Sequence, residues 1–422
     1  MLLQRFIRLK IWNSTNTDVE YDNGDDTLTQ PDWGISASSV DLNRMISDSD
    51  ITAGEIFSSK LEVQVYGLDV DLTDRKIQLI AEDIIRDGNS LVTENNDPIV
   101  TEDGTHIQAG YTDTNVTTYL FTGYIESANT DYERTYRDIV AYDWFYFHQN
   151  DVLSRGHWES WWNSGAYPSG RGIYALTQNL LTILRNLYSL PSGTLFPQTD
   201  SLLDETELFK KPTYGVDYTK LTIHNLFKWI FEVNLAIPYI DGEGLLKFKL
   251  IRPPVSANTK FIYQEDFEHD TSTIESYTTN TVDGLLIKCY ASDGTEKIYG
   301  RPGAMTELNF QVTDNMYVIS DNVLLNAQNS TLYDMILDSL WGDTTESDGY
   351  IADAFSWCTP CEINLVISDL TKFDLNDRLA IEMKNHENFY VAFAHEIELS
   401  GSLLVNETLR CKASGKNREV TI

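Results

Sequence analysis

The segment FTGYIESANTDYERTYRDIVAYDWFYF, residues 121–147, decides how the chain is organised. Its β-branched and aromatic residues flank a polar turn at 129–132, which predicts two paired strands, the second continuing from Tyr136 to Val140. The aromatic residues after them are too apolar to lie in water. We therefore interpret the segment as the seam between a first β-domain and a second, mixed domain, with Trp144 and Phe147 largely buried. The full aromatic cluster comprises Tyr142, Trp144, Phe145, Tyr146 and Phe147.

Length and composition indicate a folded chain of several domains. At 422 residues there is room for about two to four domains, and 42% hydrophobic and 12% aromatic residues support real cores. No apolar run reaches the length of about 18 residues typical of a membrane span. The N-terminal MLLQRFIRLKIW carries basic residues inside its apolar pattern, which predicts a strand rather than a signal peptide. Four cysteines in a chain of this length do not form a disulfide scaffold.

The net charge is −33, from 64 acidic and 31 basic residues. A chain of this charge should not grip nucleic-acid phosphates, because that requires clustered Lys and Arg. Two interpretations stay open. The acid provides solubility, or it forms a surface that lies near DNA without holding it.

Residues 1–147 are predicted to be mostly β. Apolar residues alternate with polar ones over residues 61–66, which is typical of a half-buried strand, and the pattern continues in KIQLIAEDII, 76–85. Two polar segments, DNGDDT at 22–27 and TENNDPIVTEDG at 93–104, are rich in Asp, Asn and Gly. Neither has the carboxylate spacing of a calcium loop, so we predict solvated loops.

The middle of the chain changes to helical spacing. Residues 175–190 and 221–234 predict two helices, the second capped by Thr222. A hairpin with an Asp-Gly-Glu-Gly turn is predicted over 237–250. Strands then resume, a third helix is predicted over 320–342 with Ser320 or Asp321 as its cap, and residues 359–422 are again β.

The motif WCTPC, residues 357–361, superficially matches a thioredoxin-type redox site. Such a site needs its first thiolate at a helix N-terminus, whereas a strand pattern follows Cys361 here. We therefore favour a structural pair, or a chance metal ligand, for Cys358 and Cys361. His395-Glu396 lacks the second histidine of a zinc helix, and pairs such as Asp69 and Asp71 are uninformative in so acidic a chain.

Three tryptophans, Trp158, Trp161 and Trp162, lie in GHWESWWNSGAYPSGRG, residues 156–172. Their rings could form a sugar-binding platform, although we favour a loop packed on a neighbouring subunit. No hydrolase, Walker or dinucleotide motif is present, so the sequence predicts no catalytic, cofactor-binding or metal-binding residue and no enzymatic activity.

The chain resembles the baseplate hub family of phage tails, including the hub region of tail-associated proteins in siphophages. The resemblance extends over nearly the whole chain and departs at the turn 375–378, where the family's Gly-Asp is absent. Five stretches carry it, in the family's order: SSKLEVQVYGLDVDLTDRKIQLI (58–80), residues 121–147, LFKWIFEVNLAIPYIDGEGLLKFKL (226–250), DNVLLNAQNSTLYDMILDSLW (321–341), and INLVISDLTKFDLNDRLAIEM (363–383) with FYVAFAHEIELSGSLLVNETLRCKA (389–413).

This resemblance implies a mainly β fold with α+β inserts, built from two β-barrels of the tail-tube type and a mixed helical and hairpin insert. It implies a homotrimer in the virion that closes or extends the tail tube and carries the tip, while DNA passes without specific binding. Implied partners are a tube or distal tail protein, the tape measure protein and a tip or spike protein. The expected division is a first barrel at 1–147, an insert at 148–257, second-barrel strands at 258–319, a helical segment at 320–357 and terminal barrel strands at 358–422.

Two other functions remain as alternatives. One is a tail-associated hydrolase acting on cell-wall glycan or peptide, which a further C-terminal domain, or a His/Cys or Glu pair in a cleft, would favour. The other is a glycan receptor-binding module that uses the Trp158–Trp162 platform.

Overall fold

A computed structural model shows a mainly β chain with helices, which confirms the predicted fold class at that level. The structure describes residues 2–24, 33–45, 53–90, 108–130, 136–162, 172–190, 209–234, 236–250, 259–263, 273–274, 284–301, 316–341, 361–367, 373, 375, 377–382, 389–401 and 406–413.

Within these ranges, the strands are β1 Leu2–Trp12, β2 Val19–Asp22, β3 Gly34–Met45, β4 Lys60–Tyr66, β5 Lys76–Ser90, β6 Gln108–Thr130, β7 Tyr136–Tyr142, β8 Ala236–Ile240, β9 Leu246–Leu250, β10 Thr259–Ile262, β11 Thr273–Ile274, β12 Gly284–Tyr290, β13 Glu296–Arg301, β14 Met316–Ile319, β15 Cys361–Ile367, β16 Arg378–Glu382, β17 Phe389–Gly401 and β18 Asn406–Ala413. The α-helices are α1 Trp144–His148, α2 Arg155–Trp162, α3 Ile173–Tyr188, α4 Ile223–Glu232 and α5 Ser330–Trp341, and 3-10 turns occur at Tyr218–Lys220 and Val323–Leu325. No helix in these ranges is both long and apolar enough to cross a membrane.

The chain groups into two compact units and passes between them several times. Unit 1 contains Met1–Asp41, Leu61–Ala141 and Leu399–Asn406, and unit 2 contains Leu42–Lys60, Tyr142–Glu398 and Glu407–Ile422. The predicted five-part division of the chain stays a prediction.

Unit 1 is a sheet with strand order β3-β4-β7-β6-β5-β1-β2. The strand pair predicted within residues 121–147 is confirmed, because β6 and β7 are neighbours in this sheet. Side chains alternate between the two faces of each strand, and those on one face form the core. This alternation is clearest in β4, where Leu61, Val63 and Val65 are buried, and in β5, where Ile77 and Leu79 are buried.

Ion pairs accompany the apolar residues in unit 1. Arg5 donates from Nε to Asp83 Oδ1 at 2.7 Å, and both side chains are buried. Arg8 donates to both oxygens of Asp22, at 2.7 and 2.8 Å, and also to Glu82 at 2.8 Å. These bonds to Asp22 raise the pKa of the Arg8 guanidinium above its usual value.

The predicted solvated loop at 22–27 is therefore wrong at its first residue. Asp22 ends β2 and is buried by its bidentate pair with Arg8. The sequence pattern missed this partner because it comes from the neighbouring strand rather than from local spacing. Residues 25–27 and the whole segment 93–104 lie outside the described residues.

Unit 2 contains three groups of strands. In the first group, β11, β15, β18 and β17 are neighbours in that order. Strand β16 pairs with β17, and β10 pairs with β16 in parallel orientation. A second sheet has the order β13-β12-β14, and β8 and β9 form a separate hairpin. The predicted hairpin over 237–250 is confirmed, with Asp241 Oδ1 accepting from the backbone N–H groups of Glu243 and Leu245 in its turn.

The first two predicted helices are confirmed as α3 and α4. Leu176, Leu180 and Leu184 recur at helical spacing and are buried in α3. Thr222 caps α4, where its hydroxyl accepts from the backbone N–H of Asn225 at 3.1 Å.

The third predicted helix is wrong over its first ten residues. Residues 320–329 form a 3-10 turn and an irregular segment, and α5 begins only at Ser330. Asp321 and Ala327 have φ of 58° and 57°, which an α-helix does not allow. The actual cap of α5 is Asn329, whose side chain accepts from the backbone N–H of Leu332 at 2.8 Å.

Three carboxamides explain why this segment is not helical, because each binds backbone groups of another element. Asn322 donates to the Trp229 carbonyl of α4 at 3.0 Å. Asn326 accepts from the Tyr290 N–H at 3.0 Å and donates to the Tyr214 carbonyl at 3.4 Å. Gln328 exchanges two hydrogen bonds with the backbone of Lys210. We call residues 322–328 the amide strap.

We expect Asn326→Ala to lower the free energy of unfolding by about 1–3 kcal/mol, because it removes an acceptor and a donor that are nearly buried. The urea midpoint measures this loss. Asn186→Ala is the matched control, since Asn186 is exposed on α3. Equal midpoints for the two variants would show that the strap does not hold unit 2 together.

Candidate functional site: the junction of α1 and α4

Asp143 organises the start of α1 in unit 2. Its Oδ1 accepts from the backbone N–H groups of Phe145 at 3.0 Å and Tyr146 at 3.3 Å, which is N-cap geometry. Its Oδ2 accepts from the backbone N–H of Ser59 at 2.6 Å. One carboxylate therefore joins the N-terminus of α1 to the segment 53–59, which we call the junction segment.

The Asp143 carboxyl is 1% exposed. Burial raises its pKa to about 7, and the backbone donors from Ser59, Tyr146 and Phe145 oppose that rise. The charged form is thus costly to bury and is at the same time the form that three N–H groups require.

The structure places a helix, α1, in the aromatic cluster that follows the predicted strand pair. Trp144 and Phe145 are buried in α1, whereas Phe147 is half-buried, so the expected burial is confirmed for Trp144 and is only partial for Phe147. The reason is helical geometry, since consecutive residues cannot all face the core. Tyr142 and Tyr146 instead stack on each other, with ring centroids 3.8 Å apart.

The buried aromatic residues of α1 pack on α4. Phe227 of α4 lies 6.5 Å from the Trp144 ring and 6.4 Å from the Phe145 ring, between centroids. The Trp144 indole N–H donates to the Gly244 carbonyl in the β8–β9 turn at 3.1 Å. This bond satisfies the one polar atom of an otherwise apolar side chain.

The junction segment approaches the end of α4 very closely. Gly54 has φ of 83°, and its N–H donates to the Ala236 carbonyl at 2.8 Å. A Cβ at this position would lie 2.5 Å from the Lys228 carbonyl oxygen. Only glycine fits both the backbone angle and the space.

Glu55 fixes the junction segment to α4 by charge. Its carboxylate binds His224 Nε2 at 3.1 Å and also the Lys228 ammonium. The hydrogen bond from His224, aided by Lys228, lowers the pKa of Glu55 to about 2. Glu55 is therefore ionised throughout the physiological range.

Glu232 is the second deeply buried carboxyl of the junction, at 5% exposure. Burial raises its pKa to about 7, while the Asn322 amide, which donates to it at 3.0 Å, acts in the opposite direction. The amide strap and α4 meet at this contact.

The histidines in this region have the partners of structural residues. His224 binds Glu55, and His148 binds Asp151 at 3.0 Å while stacking on Tyr188. The Ser154 hydroxyl lies 3.1 Å from His157 Nδ1 but also accepts the His157 backbone N–H, which is the geometry of a helix cap. Among the described residues, no cluster of three or more His, Cys, Asp or Glu is arranged to hold a metal ion.

The two interpretations of the tryptophan segment are both wrong for its described part. Trp158, Trp161 and Trp162 lie on α2, are at most 7% exposed, and contact one another with ring centroids 5.2 to 5.6 Å apart. Their spacing puts them on one helical face, and the Trp161 indole N–H donates to the Leu176 carbonyl of α3. They form a core, so they cannot serve as a sugar platform.

The other residues that the sequence analysis named, where the structure describes them, lie away from the junction. Cys361 begins β15, which confirms that a strand follows the cysteine pair, and Cys358 lies outside the described residues. Glu396 is buried in β17, where it accepts from the Asn43 amide at 2.6 Å. Asp69 contacts Arg137 and is 75% exposed.

Sequence reasoning missed Asp143, Gly54, Glu55 and Asn322. One local signal was available, because Asp directly before an apolar run is a favoured helix cap. The other three acquire their roles from partners distant in sequence. The Glu55–His224 and Asn322–Glu232 pairs, for example, are separated by 169 and 90 positions.

Three solved phage tail proteins are similar in structure to the chain. A 43 kDa tail protein of prophage MuSo2 from Shewanella oneidensis is 9% identical, with a TM-score of 0.48 over 97% of this chain and 98% of that chain. A tail protein from Neisseria meningitidis MC58 is 10% identical, with a TM-score of 0.49 over 98% of each chain. A prophage tail protein from Listeria monocytogenes EGD-e is 8% identical, with a TM-score of 0.45 over 98% of this chain and 96% of that chain. No family model and no curated protein matches the chain.

We expect Trp144→Ala to lower the free energy of unfolding by about 3–5 kcal/mol, because the substitution leaves a cavity beneath α4 and the β8–β9 turn. Thermal melting and limited proteolysis measure the loss. Trp144→Phe keeps an aromatic ring but not the bond to Gly244, so its loss should be smaller. Melting of the alanine variant like the wild type would contradict a core role for Trp144.

A second prediction concerns Glu55. A carboxyl pKa lowered from 4.5 to about 2 corresponds to at most about 3 kcal/mol of stability. Because the pKa is lowered by folding, this stability is present above the unfolded pKa and is lost as pH falls through the folded one. Glu55→Gln should therefore be destabilised most at pH 7, and its difference from the wild type should shrink towards pH 2.

Denaturant titrations between pH 7 and pH 2 test this difference. Glu243→Gln is the control, since Glu243 is exposed in the β8–β9 turn. A difference between Glu55→Gln and wild type that does not change with pH would show that the ion pairs contribute nothing.

Proposed function

We propose that the chain is a structural virion protein, the hub of a phage tail baseplate or tail tip, without enzymatic activity. The observation that carries this proposal is the order of elements in the resembling stretches. Residues 58–80 form β4 and the start of β5, 121–147 form the end of β6 with β7 and α1, and 226–250 form α4, β8 and β9. Residues 321–341 end in α5, and 363–413 supply β15 to β18.

In this proposal unit 1 is the core of the first tube-type barrel, predicted for residues 1–147. Strands β10, β11 and β15–β18 of unit 2 belong to the second barrel, and α2–α4 with the β8–β9 hairpin are the insert. Two similar barrels per subunit would give a homotrimer a ring of pseudo-sixfold symmetry. The proposed neighbours are a tube or distal tail protein, the tape measure protein and a tip or spike protein.

The charge of the chain supports a passage for DNA. A ring with a basic lining would hold the duplex, since each phosphate contact adds affinity through counterion release. Acidic or neutral walls repel the duplex, and at physiological salt that repulsion extends only about 8 Å. With a net charge of −33 per chain, part of the acidic excess would face the lumen.

The buried tryptophans on α2 weigh against the glycan-binding alternative at that place. The serine and histidines near the junction are engaged in caps and carboxylate pairs, which are structural uses.

We expect a trimer, either of the isolated chain or on assembly with its tube partner, and no duplex binding at physiological salt. Native mass spectrometry and a gel-shift titration measure the two properties, with the gel shift repeated at low salt as a control for weak association. A stable monomer that also fails to trimerise with tail partners would overturn the hub proposal, as would sub-micromolar duplex binding.

A further inference from the structure

The end of β2 is joined to β1 by a side chain. The last backbone pair of the two strands at this end is Lys10 with Asp22, and Asn23 follows it. The Asn23 carboxamide accepts from the Leu9 N–H at 2.7 Å and donates to the Ile7 carbonyl at 3.1 Å. The Asn23 backbone N–H donates to the Leu9 carbonyl at 3.4 Å. The carboxamide therefore takes the place of the next peptide group in the ladder.

Its sequence context makes Asn23 the asparagine of this chain that is most prone to deamidation. It is followed by Gly24, and no other Asn-Gly pair occurs in the 422 residues. Glycine has no side chain to hinder its backbone nitrogen, so this nitrogen can attack the carboxamide carbon of the preceding residue. The new bond joins Gly24 N to Asn23 Cγ, and the Cγ–Nδ2 bond breaks, releasing ammonia. Water then opens the cyclic imide at either carbonyl and leaves aspartate or isoaspartate.

Both groups that must react are held by other contacts in the folded chain. The Asn23 carboxamide is bound to β1 through its oxygen and through its nitrogen. The Gly24 N–H donates to Asp22 Oδ1 at 3.0 Å, so a deprotonated nitrogen would face a carboxylate. The Arg8 side chain also packs against Gly24, since a Cβ at Gly24 would lie 2.7 Å from Arg8 Nε. Cyclisation therefore requires this end of β2 to open first.

We propose that Asn23 is a deamidation site that the fold keeps closed, and that its conversion permanently releases the end of β2 from β1. Local opening is reversible, whereas the loss of ammonia is not, so each opening adds to the converted fraction. The product has an oxygen where Asn23 Nδ2 donated to the Ile7 carbonyl, which places two acceptors against each other. Arg8 and Lys10 already pair with Asp22, so the new charge also lies next to an existing carboxylate without a cation of its own on β1.

Peptide mass spectrometry tests the first half of the proposal. The wild-type chain is incubated at one pH and temperature, once in buffer and once unfolded in urea, and the conversion of Asn23 to the acid is followed with time. We expect conversion in buffer to be slower by about tenfold or more, because the hydrogen bonds around Asn23 must be lost before cyclisation. Equal rates would overturn the proposal.

Two substitutions in β2 locate the protection. Asp22→Ala releases the Gly24 N–H, so Asn23 should convert several-fold faster in the folded variant than in the folded wild type. Glu20→Ala is the matched control, because it removes the ion pair between β2 and Arg75 but none of the hydrogen bonds of Asn23. It should convert at the wild-type rate. Equal rates in the two variants would contradict closure by the Asp22 contact, with melting curves showing that both are folded.

Asn23→Asp measures the consequence, because it makes one product of the reaction directly. Its urea midpoint at neutral pH should be lower than that of the wild type, since it exchanges the donor to the Ile7 carbonyl for an acceptor. Asn115→Asp is the control, because it adds the same charge at an exposed position of β6 in the same unit, and it should leave the midpoint unchanged. Equal midpoints for the two variants would show that the Asn23 carboxamide does not hold the strands together.

Partly converted wild-type chain provides the same comparison if Asn23→Asp does not fold. Limited proteolysis of this mixture should remove the converted molecules first, because their β1–β2 contact is open. Equal loss of converted and unconverted molecules would contradict a release of β2.

Discussion

The junction of unit 2 depends on a carboxylate that is buried without a cation. Asp143 is stabilised by three backbone N–H groups, two from the first turn of α1 and one from Ser59. A helix N-terminus favours negative charge, and short hydrogen bonds to an ion are stronger than neutral ones. These contributions act against the cost of burying the charge. The start of α1 and the end of the junction segment are therefore specified together, because neither can shift without leaving the carboxylate short of a donor.

Around this carboxylate, unit 2 is joined by groups that link elements distant in sequence. Trp144 connects α1 to the β8–β9 turn, and Glu55 connects the junction segment to α4. The amide strap then ties α4, through Asn322, to the sheet containing β12, through Asn326. Carboxamides suit this task because each offers an acceptor and two donors without a charge to desolvate. The strap cannot be helical and make these contacts at the same time.

Local sequence signals predicted those elements whose cause is local. The cap at Thr222 and the leucine spacing of α3 act within a few residues, and alternation identified β4 and β5. The failures have long-range causes. The aromatic run after Asp143 was expected to be buried, but its residues alone did not indicate that the Asp143 cap and the contacts with Phe227 of the distant α4 would make it helical. A carboxamide has no sequence signature that shows which distant backbone group it will bind. For the same reason, the junction itself could not be predicted, apart from the capping potential of Asp143.

The same partners explain where the excess negative charge lies. Six carboxylates are buried in the described part of the chain, and each has a specific donor. Asp22, Asp83 and Asp377 are paired with Arg8, Arg5 and Lys260, so these pairs are neutral overall. Asp143, Glu232 and Glu396 accept from neutral groups: backbone N–H, Asn322 and Asn43.

Among the described residues, burial therefore accounts for these six carboxylates, and it reduces the charge of two of them by raising the pKa of Asp143 and Glu232 to about 7. The other acidic side chains whose burial the structure describes are at least partly in contact with water, where a charge costs little to maintain. A surface of this kind repels phosphates and other copies of itself through the same field. Because that field is screened within about 8 Å at physiological salt, in the proposed hub it would keep a duplex away from the wall and would still allow subunits to associate through surfaces that carry less charge.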